Sequence, residues 1–357
     1  MAQGLDTLYS GAWLARERVR LIALAMLVAS AIALAFLLVS SDGRNDFHGR
    51  PLGTDFANVY AAGTYVLEGR PEAPFDIALQ GARERAIFGA KSPLYGWHYP
   101  PFFLFIAGAL ALLPYGLALF VWQAATLALY LFAIRAVLAC PCVVGGQQLK
   151  SDPLWLLLAL AFPAVFVNLG HGHNGFLTAA LLAFALAMLD RRPALAGLLF
   201  GCLVYKPQFG MMIPLVLALS GRWRAFAAAA AAVAVLSLIT LAVFGLDVWR
   251  AFLASSRFVR VVVLEQGDIG WHKIQSVFSW VRMWGGSVAL AYILQSAVTL
   301  ACAAALVWLW RSPAAFALKA AALCLAALLA TPYSLDYDMM VLAPAIEKTV
   351  LSPVEAT

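Results

Sequence analysis

Asp55 follows the turn Pro51-Leu52-Gly53-Thr54 and opens a helix-like stretch running to Gly69. A carboxylate at the start of a helix is either a cap, favoured there by the helix dipole, or a general base that takes a proton from a hydroxyl. Lys206 stands near the middle of the apolar run 194–219, beside Pro207 and two residues before Gln208. A charge at membrane depth costs roughly 2.5–3.5 kcal/mol on insertion scales, so it calls for a cavity, an anion or a carboxylate partner. Gly170-His171-Gly172-His173-Asn174-Gly175 is a polar joint between two short apolar runs. It suits hydrogen bonds to a sugar or a phosphate, or serves as a plain loop. Two histidines at i, i+2 could bind a metal, but no third ligand stands nearby. Asp336 and Asp338 follow another apolar run and are either a solvated cap or a substrate contact. Tyr60, Tyr99 and His272 complete the candidates.

The elements that must position these groups belong in lipid. Of 357 residues, 64% are hydrophobic and 12% charged, with a mean hydropathy of +0.86. A soluble domain carries about 25% charged residues. Backbone polar groups in lipid must be satisfied within the segment, and the alternating pattern of a barrel is absent. The expectation is therefore an all-α, polytopic membrane protein forming one domain over 1–357, with about 8–10 transmembrane or re-entrant helices. Apolar runs fall at 21–40, 100–113, 116–138, 154–169, 174–189, 194–219, 225–245, 287–310 and 314–332. The Ala-rich stretch 225–235 suits close helix packing. Net charge +6 reflects basic residues in loops and at run ends, where topology and anionic headgroups account for them; nucleic acid is not an expected partner. The cysteines include Cys140 and Cys142 but show neither a disulfide framework nor a zinc pattern. Walker A, dinucleotide-fold and Gly-x-Ser-x-Gly motifs are absent.

Arg16, Arg18 and Arg20 precede the first run, which is too long for a signal-peptide core. An uncleaved first span with a cytoplasmic N-terminus follows from the positive-inside rule. The loops 41–98, 246–286 and 333–338 then lie outside. Treating 99–115 and 194–219 as re-entrant places Lys150, Arg191-Arg192 and Arg222-Arg224 inside and His171 to Asn174 outside. The helix from Asp55 is expected to lie along the interface, with Tyr60 and Tyr65 at headgroup depth. Tyr95, Trp97 and Tyr99 read as an aromatic belt. The stretch 246–286 reads as a polar, aromatic lid able to hold an anionic headgroup.

Taken in order, several of these pieces resemble glycosyltransferase family 87. They are Asp55-Phe56 with Tyr60-Ala61-Ala62-Gly63, then Tyr99-Pro100-Pro101, then Gly172-His173-Asn174-Gly175-Phe176-Leu177. Ala196-Gly197 through Lys206-Pro207-Gln208 follow, and last Thr331-Pro332-Tyr333 with Asp336-Tyr337-Asp338. The family usually has Gly-Gln-Asn where this chain has Gly172-His173-Asn174. Its mannosyltransferases often carry Ser-Trp-x-His-His where this chain has Ser334 to Asp338. The resemblance implies a GT-C-like helical bundle in a bacterial cytoplasmic membrane. It also implies a hexosyltransferase, of mannosyltransferase type, that uses a polyprenyl-phosphate sugar as donor and a lipid or glycan as acceptor. No separate cofactor is implied. In that setting Asp55 is the catalytic residue, and the other candidates named above bind substrate. The C-terminus stops early for the family, so a final span is expected to be missing. A lipid transporter or flippase and a non-catalytic membrane assembly partner are the competing expectations; broken helices with a buried lysine fit a transporter too.

Overall fold

The computed structural model describes residues 15–139 and 151–345; Cys140, Cys142, Lys150 and the tail from 346 fall outside these. The described chain runs through α1 (Arg16–Val39), α2 (Thr54–Leu67), α3 (Ile77–Phe88), α4 (Leu104–Ala111) and α5 (Tyr115–Leu138). It continues through α6 (Leu154–Ala161), α7 (Pro163–His171), α8 (Gly175–Met188), α9 (Pro193–Cys202) and α10 (Pro207–Gly210). Then come α11 (Met212–Leu219), α12 (Trp223–Phe258), α13 (Val277–Met283), α14 (Val288–Arg311) and α15 (Phe316–Leu329), with a 3₁₀ turn over Asp336–Leu342. No strand forms among the described residues; Asn45 with Pro51 and Ile274 with Leu335 make isolated bridges.

Helices α1, α5, α12 and α14 are each long and apolar enough to cross a membrane. Helices α6 and α7 together make a fifth candidate, bent by 52° at the break before Pro163. Proline explains the many short pieces. Pro163, Pro193 and Pro207 each sit in the first turn of a helix, where the missing N–H costs nothing. Pro163 and Pro207 also stop the element before them. The result is a multi-pass helical membrane protein.

Small residues set the tightest contacts. A Cβ on Gly197 of α9 would stand 2.2 Å from the Ala225 carbonyl oxygen, and one on Gly201 2.6 Å from the Ala232 Cβ. The Ala-rich half of α12 therefore packs directly on the Gly-x-x-x-Gly face of α9, as small-residue interfaces in membranes do. Gly63 of α2 does the same against α4, where a Cβ would lie 2.0 Å from the Ala107 carbonyl oxygen.

Three expectations change. The apolar face of helix α2 packs against protein rather than lipid. Tyr65 is only 3% exposed and donates to the Leu79 carbonyl at 2.8 Å. Tyr60 donates to the Leu113 carbonyl at 2.9 Å and packs edge-on against Tyr115. Close approach at Gly63 draws the helix into the core, and both hydroxyls find backbone acceptors there. Trp97 is likewise buried in a cluster with Phe75, Tyr99 and Phe103 rather than in a belt. Finally, 246–286 is largely helical. Helix α12 bends at Gly245 (φ 81°, ψ 178°), continues to Phe258 and passes into a π-helical turn over Val259–Glu265 before α13.

Candidate active site

Two glycines in left-handed conformation bring the site together. Gly53 (φ 64°) precedes α2 and Gly172 (φ 62°) ends α7, and their backbones face each other so closely that side chains at either would collide with Leu119. Only glycine adopts this conformation at no steric cost. The contact places the start of α2 on the His171–Asn174 joint. There the Thr54 hydroxyl and His171 Nδ1 lie 2.7 Å apart. Asp55 is the second residue of α2, and Gly53 occupies the cap position. The cap reading of Asp55 is thereby set aside, and its carboxylate is free to face the joint.

The joint itself is fixed from behind. Trp122 Nε1 donates to the Gly172 carbonyl at 3.1 Å, and Gln123 Nε2 to the Asn168 and Leu169 carbonyls at 3.2 and 3.1 Å. Asn168 Oδ1 accepts from the Gly175 N–H at 2.8 Å. His173 Nε2 meets the Tyr99 hydroxyl at 3.0 Å, and its ring stacks on Tyr337 with centroids 3.4 Å apart. Next to it the Asn174 residue is 2% exposed, and both the oxygen and the nitrogen of its side-chain amide lack a protein partner.

Tyr337 joins the two halves of the site. It lies near enough to Asp55 to favour the ionised carboxylate. The Lys206 ammonium lies 5.4 Å from its ring centroid. Lys206 is itself paired with Asp338, Nζ to Oδ1 at 2.5 Å, with both side chains buried. The second Asp338 oxygen accepts from the Leu335 N–H at 3.0 Å. The lysine has thus taken the carboxylate-partner option, and Asp338 is a buried counter-ion rather than a solvated cap. The break before Pro207 releases Lys206 from helical geometry, and the 3₁₀ turn splays Asp336, Tyr337 and Asp338 in different directions.

Asp55 keeps part of its surface open, yet the surrounding protein desolvates it enough to raise its pKa above the ordinary carboxylate value. His171 opposes that shift, Asp336 adds to it, and Lys273 and Tyr337 oppose it. Lys273 is exposed, immediately before the short stretch that pairs with Ser334 and Leu335. In that pairing the Gln275 N–H donates to the Ser334 carbonyl at 2.6 Å, beside the Ile274–Leu335 bridge.

The structure therefore brings together Asp55, His171, His173, Asn174, Tyr99, Lys206, Asp336 and Asp338. It does not bring in Tyr60, whose hydroxyl is held at Leu113, and His272 is exposed on the 3₁₀ turn Trp271–Lys273. Gln208 is half-buried on α10, beyond the Lys206 break. Thr54, Tyr337 and Lys273 join the cluster, although sequence reasoning does not single them out. Tyr337 has one signal, its place between two candidate aspartates. Among the described residues, no three histidine, cysteine, aspartate or glutamate side chains converge as a metal-binding group.

The class defined by these features is a multi-pass helical membrane protein with a recessed carboxylate, flanked by imidazole and phenol groups, in a polar cluster beside the apolar bundle. The model of glycosyltransferase family 87 matches residues 97–332, most of the chain, and the chain belongs to that family. It is accordingly a membrane glycosyltransferase. No curated protein and no solved structure matches it. Asp55 and the 333–338 segment lie outside the matched residues, so their part in the site rests on the geometry above.

Proposed function

We propose that the protein transfers a hexose, with mannose the first candidate, from a polyprenyl-phosphate donor to a hydroxyl of a lipid or glycan acceptor. The reaction takes place on the outer face of a bacterial cytoplasmic membrane. The observation that carries this reading is the Asp55 carboxylate, recessed beside Tyr337 and the His171–His173 joint in a chain of this family.

Asp55 accepts the proton of the acceptor hydroxyl as that oxygen attacks the anomeric carbon. The bond from the anomeric carbon to the phosphate oxygen breaks, the configuration inverts, and polyprenyl phosphate leaves with the bonding pair. Tyr337 and His171 favour the ionised carboxylate that receives the proton. The buried Lys206–Asp338 pair is neutral overall, so its part is to fix the turn that presents Tyr337. Exposed Lys273 supplies counter-charge to the departing phosphate. His173, Asn174 and Tyr99 offer hydrogen-bonding groups to the sugar.

The test is transfer by the purified protein in liposomes, with radiolabelled polyprenyl-phosphate hexoses and nucleotide hexoses offered separately. Label moving to an acceptor from the polyprenyl donors alone supports the reading. Transfer from nucleotide sugars alone overturns it, as does movement of lipid across the bilayer with no transfer.

A further inference from the structure

Helix α8 starts at the His171–Asn174 joint and α9 leads back to Lys206, so the turn between them lies away from the site. With 14 residues in α8, that separation is roughly 20 Å. Two further turns meet it there. Arg222, between α11 and α12, pairs with Asp190 at 2.5 Å. Its guanidinium also lies 5.7 Å from the Trp310 ring centroid and 5.6 Å from that of Phe316, on either side of the turn from α14 to α15. That turn is closed by Lys319, whose ammonium donates to the Ser312 carbonyl at 2.7 Å, while Trp310 Nε1 donates to the Lys319 carbonyl at 3.1 Å. One arginine thus gathers three inter-helix turns into one cluster.

The charge of the cluster is one-sided. The turns carry Arg191, Arg192, Arg222, Arg224 and Arg311 against a single acid, Asp190, which Arg222 already occupies. Arg191, Arg192, Arg224 and Arg311 are all exposed, and among the described residues none has a carboxylate partner. A surface of one sign attracts counter-ions of the other.

Depth selects the anion. Trp223 opens α12 and Arg311 closes α14, and both helices are long and apolar enough to cross a membrane. The cluster therefore lies at headgroup level, whichever side of the membrane it faces. Trp223 is 61% exposed and Trp308, one turn before Arg311, is 73% exposed. Indole rings favour the headgroup boundary, and guanidinium groups bind phosphate oxygens through several N–H donors at once. A phospholipid uses both features, whereas a soluble polyanion uses the charges alone.

We propose that these three turns form a binding site for an anionic phospholipid. Arg191, Arg192, Arg224 and Arg311 supply its counter-charge, and its chains pass Trp223 and Trp308. The bound lipid ties together the far ends of the helices that carry the site. Neither the geometry nor the charge argument uses the transferase reading.

The test uses the purified protein in a neutral maltoside detergent, titrated with phosphatidylglycerol or with phosphatidylcholine of the same chains. Native mass spectrometry counts retained lipid, and melting gives Tm. Phosphatidylglycerol should bind at least about tenfold more tightly and raise Tm. Arg191→Gln with Arg192→Gln, and separately Arg224→Gln with Arg311→Gln, should each weaken its binding roughly tenfold and shrink the rise in Tm. All four side chains are exposed, and the Tm of each variant without lipid verifies its fold. Arg257→Gln with Arg260→Gln removes the same charge at and just past the other end of α12 and should change neither readout. Equal binding of the two lipids, binding unchanged by both test pairs, or an equal loss in the control pair overturns the proposal. So does soluble polyglutamate that raises Tm as far as phosphatidylglycerol does at matched charge.

Discussion

The ring of Tyr337 stacks on the imidazole of His173 with centroids 3.4 Å apart and planes 19° from parallel. This one contact joins the C-terminal turn, which carries the Lys206 partner Asp338, to the Gly-rich joint that faces Asp55. Tyr337 also lies near enough to Asp55 to favour its ionised form. A neighbour that favours the ionised form lowers a carboxylate pKa. Tyr337→Phe is therefore expected to move the acid limb of kcat/KM upward. A pH–rate profile of the variant against wild type checks this.

The Lys206–Asp338 pair is buried on both sides, at 4% and 2% exposure. Removing one partner leaves an uncompensated charge, while removing both does not. Lys206→Met should destabilise the protein by roughly 3–5 kcal/mol. Lys206→Met combined with Asp338→Leu should recover most of that loss without restoring full transfer, because Tyr337 is no longer held. Thermal melting in detergent, read beside the transfer assay, separates the two effects.

Glu84 of α3 is fully buried near the start of the site-bearing segment. It accepts from the Tyr95 N–H at 2.9 Å and from Gln80 Nε2 at 3.2 Å, and Gln80 also donates to the Asn58 carbonyl on α2. Burial raises its pKa to about 7. A raised folded pKa means that the folded state holds the proton more tightly. The stability this brings is complete below the unfolded value of about 4.3 and is lost as pH rises through 7. The loss should be on the order of 3 kcal/mol for wild type and absent in Glu84→Gln. Apparent Tm measured from about pH 4 to pH 8 on both proteins tests it.

Helix packing gives a simpler contrast. Gly63→Ala puts a methyl group 2.0 Å from the Ala107 carbonyl oxygen, whereas a Cβ on Gly170 meets nothing within 4 Å. The first substitution should cost roughly 1–3 kcal/mol or more and Gly170→Ala close to nothing. Melting curves of the two variants decide it.

Much of this architecture is readable from the chain. Composition alone marks a helical membrane protein, and Pro163, Pro193 and Pro207 mark where its helices break or begin. The Ala-rich stretch of α12 is recognisable as a packing face, although its partner, Gly197 and Gly201, emerges only in three dimensions. The expectation of a lipid-facing apolar side on α2 fails because apolar periodicity cannot tell lipid from a protein neighbour. Gly63 decides between them by admitting α4. The reading of 246–286 as an irregular loop fails for a related reason: polar and aromatic composition resembles a loop, but the helix runs on past Gly245. In the site, Asp55 and the His171–Asn174 joint stand out by type and spacing. The Lys206–Asp338 pair spans 132 residues, and no local pattern encodes a contact at that range. Tyr337 escapes a reading by residue type because its neighbours carry the charge.

The most direct measurement is the transfer rate of Asp55→Asn, with the variant's fold verified by its melting curve. Asparagine keeps the shape and removes the base. Transfer from the polyprenyl-phosphate sugar is expected to fall roughly 10²–10⁴-fold, with donor binding retained. A well-folded Asp55→Asn protein that transfers sugar at the wild-type rate would show that another group takes the proton.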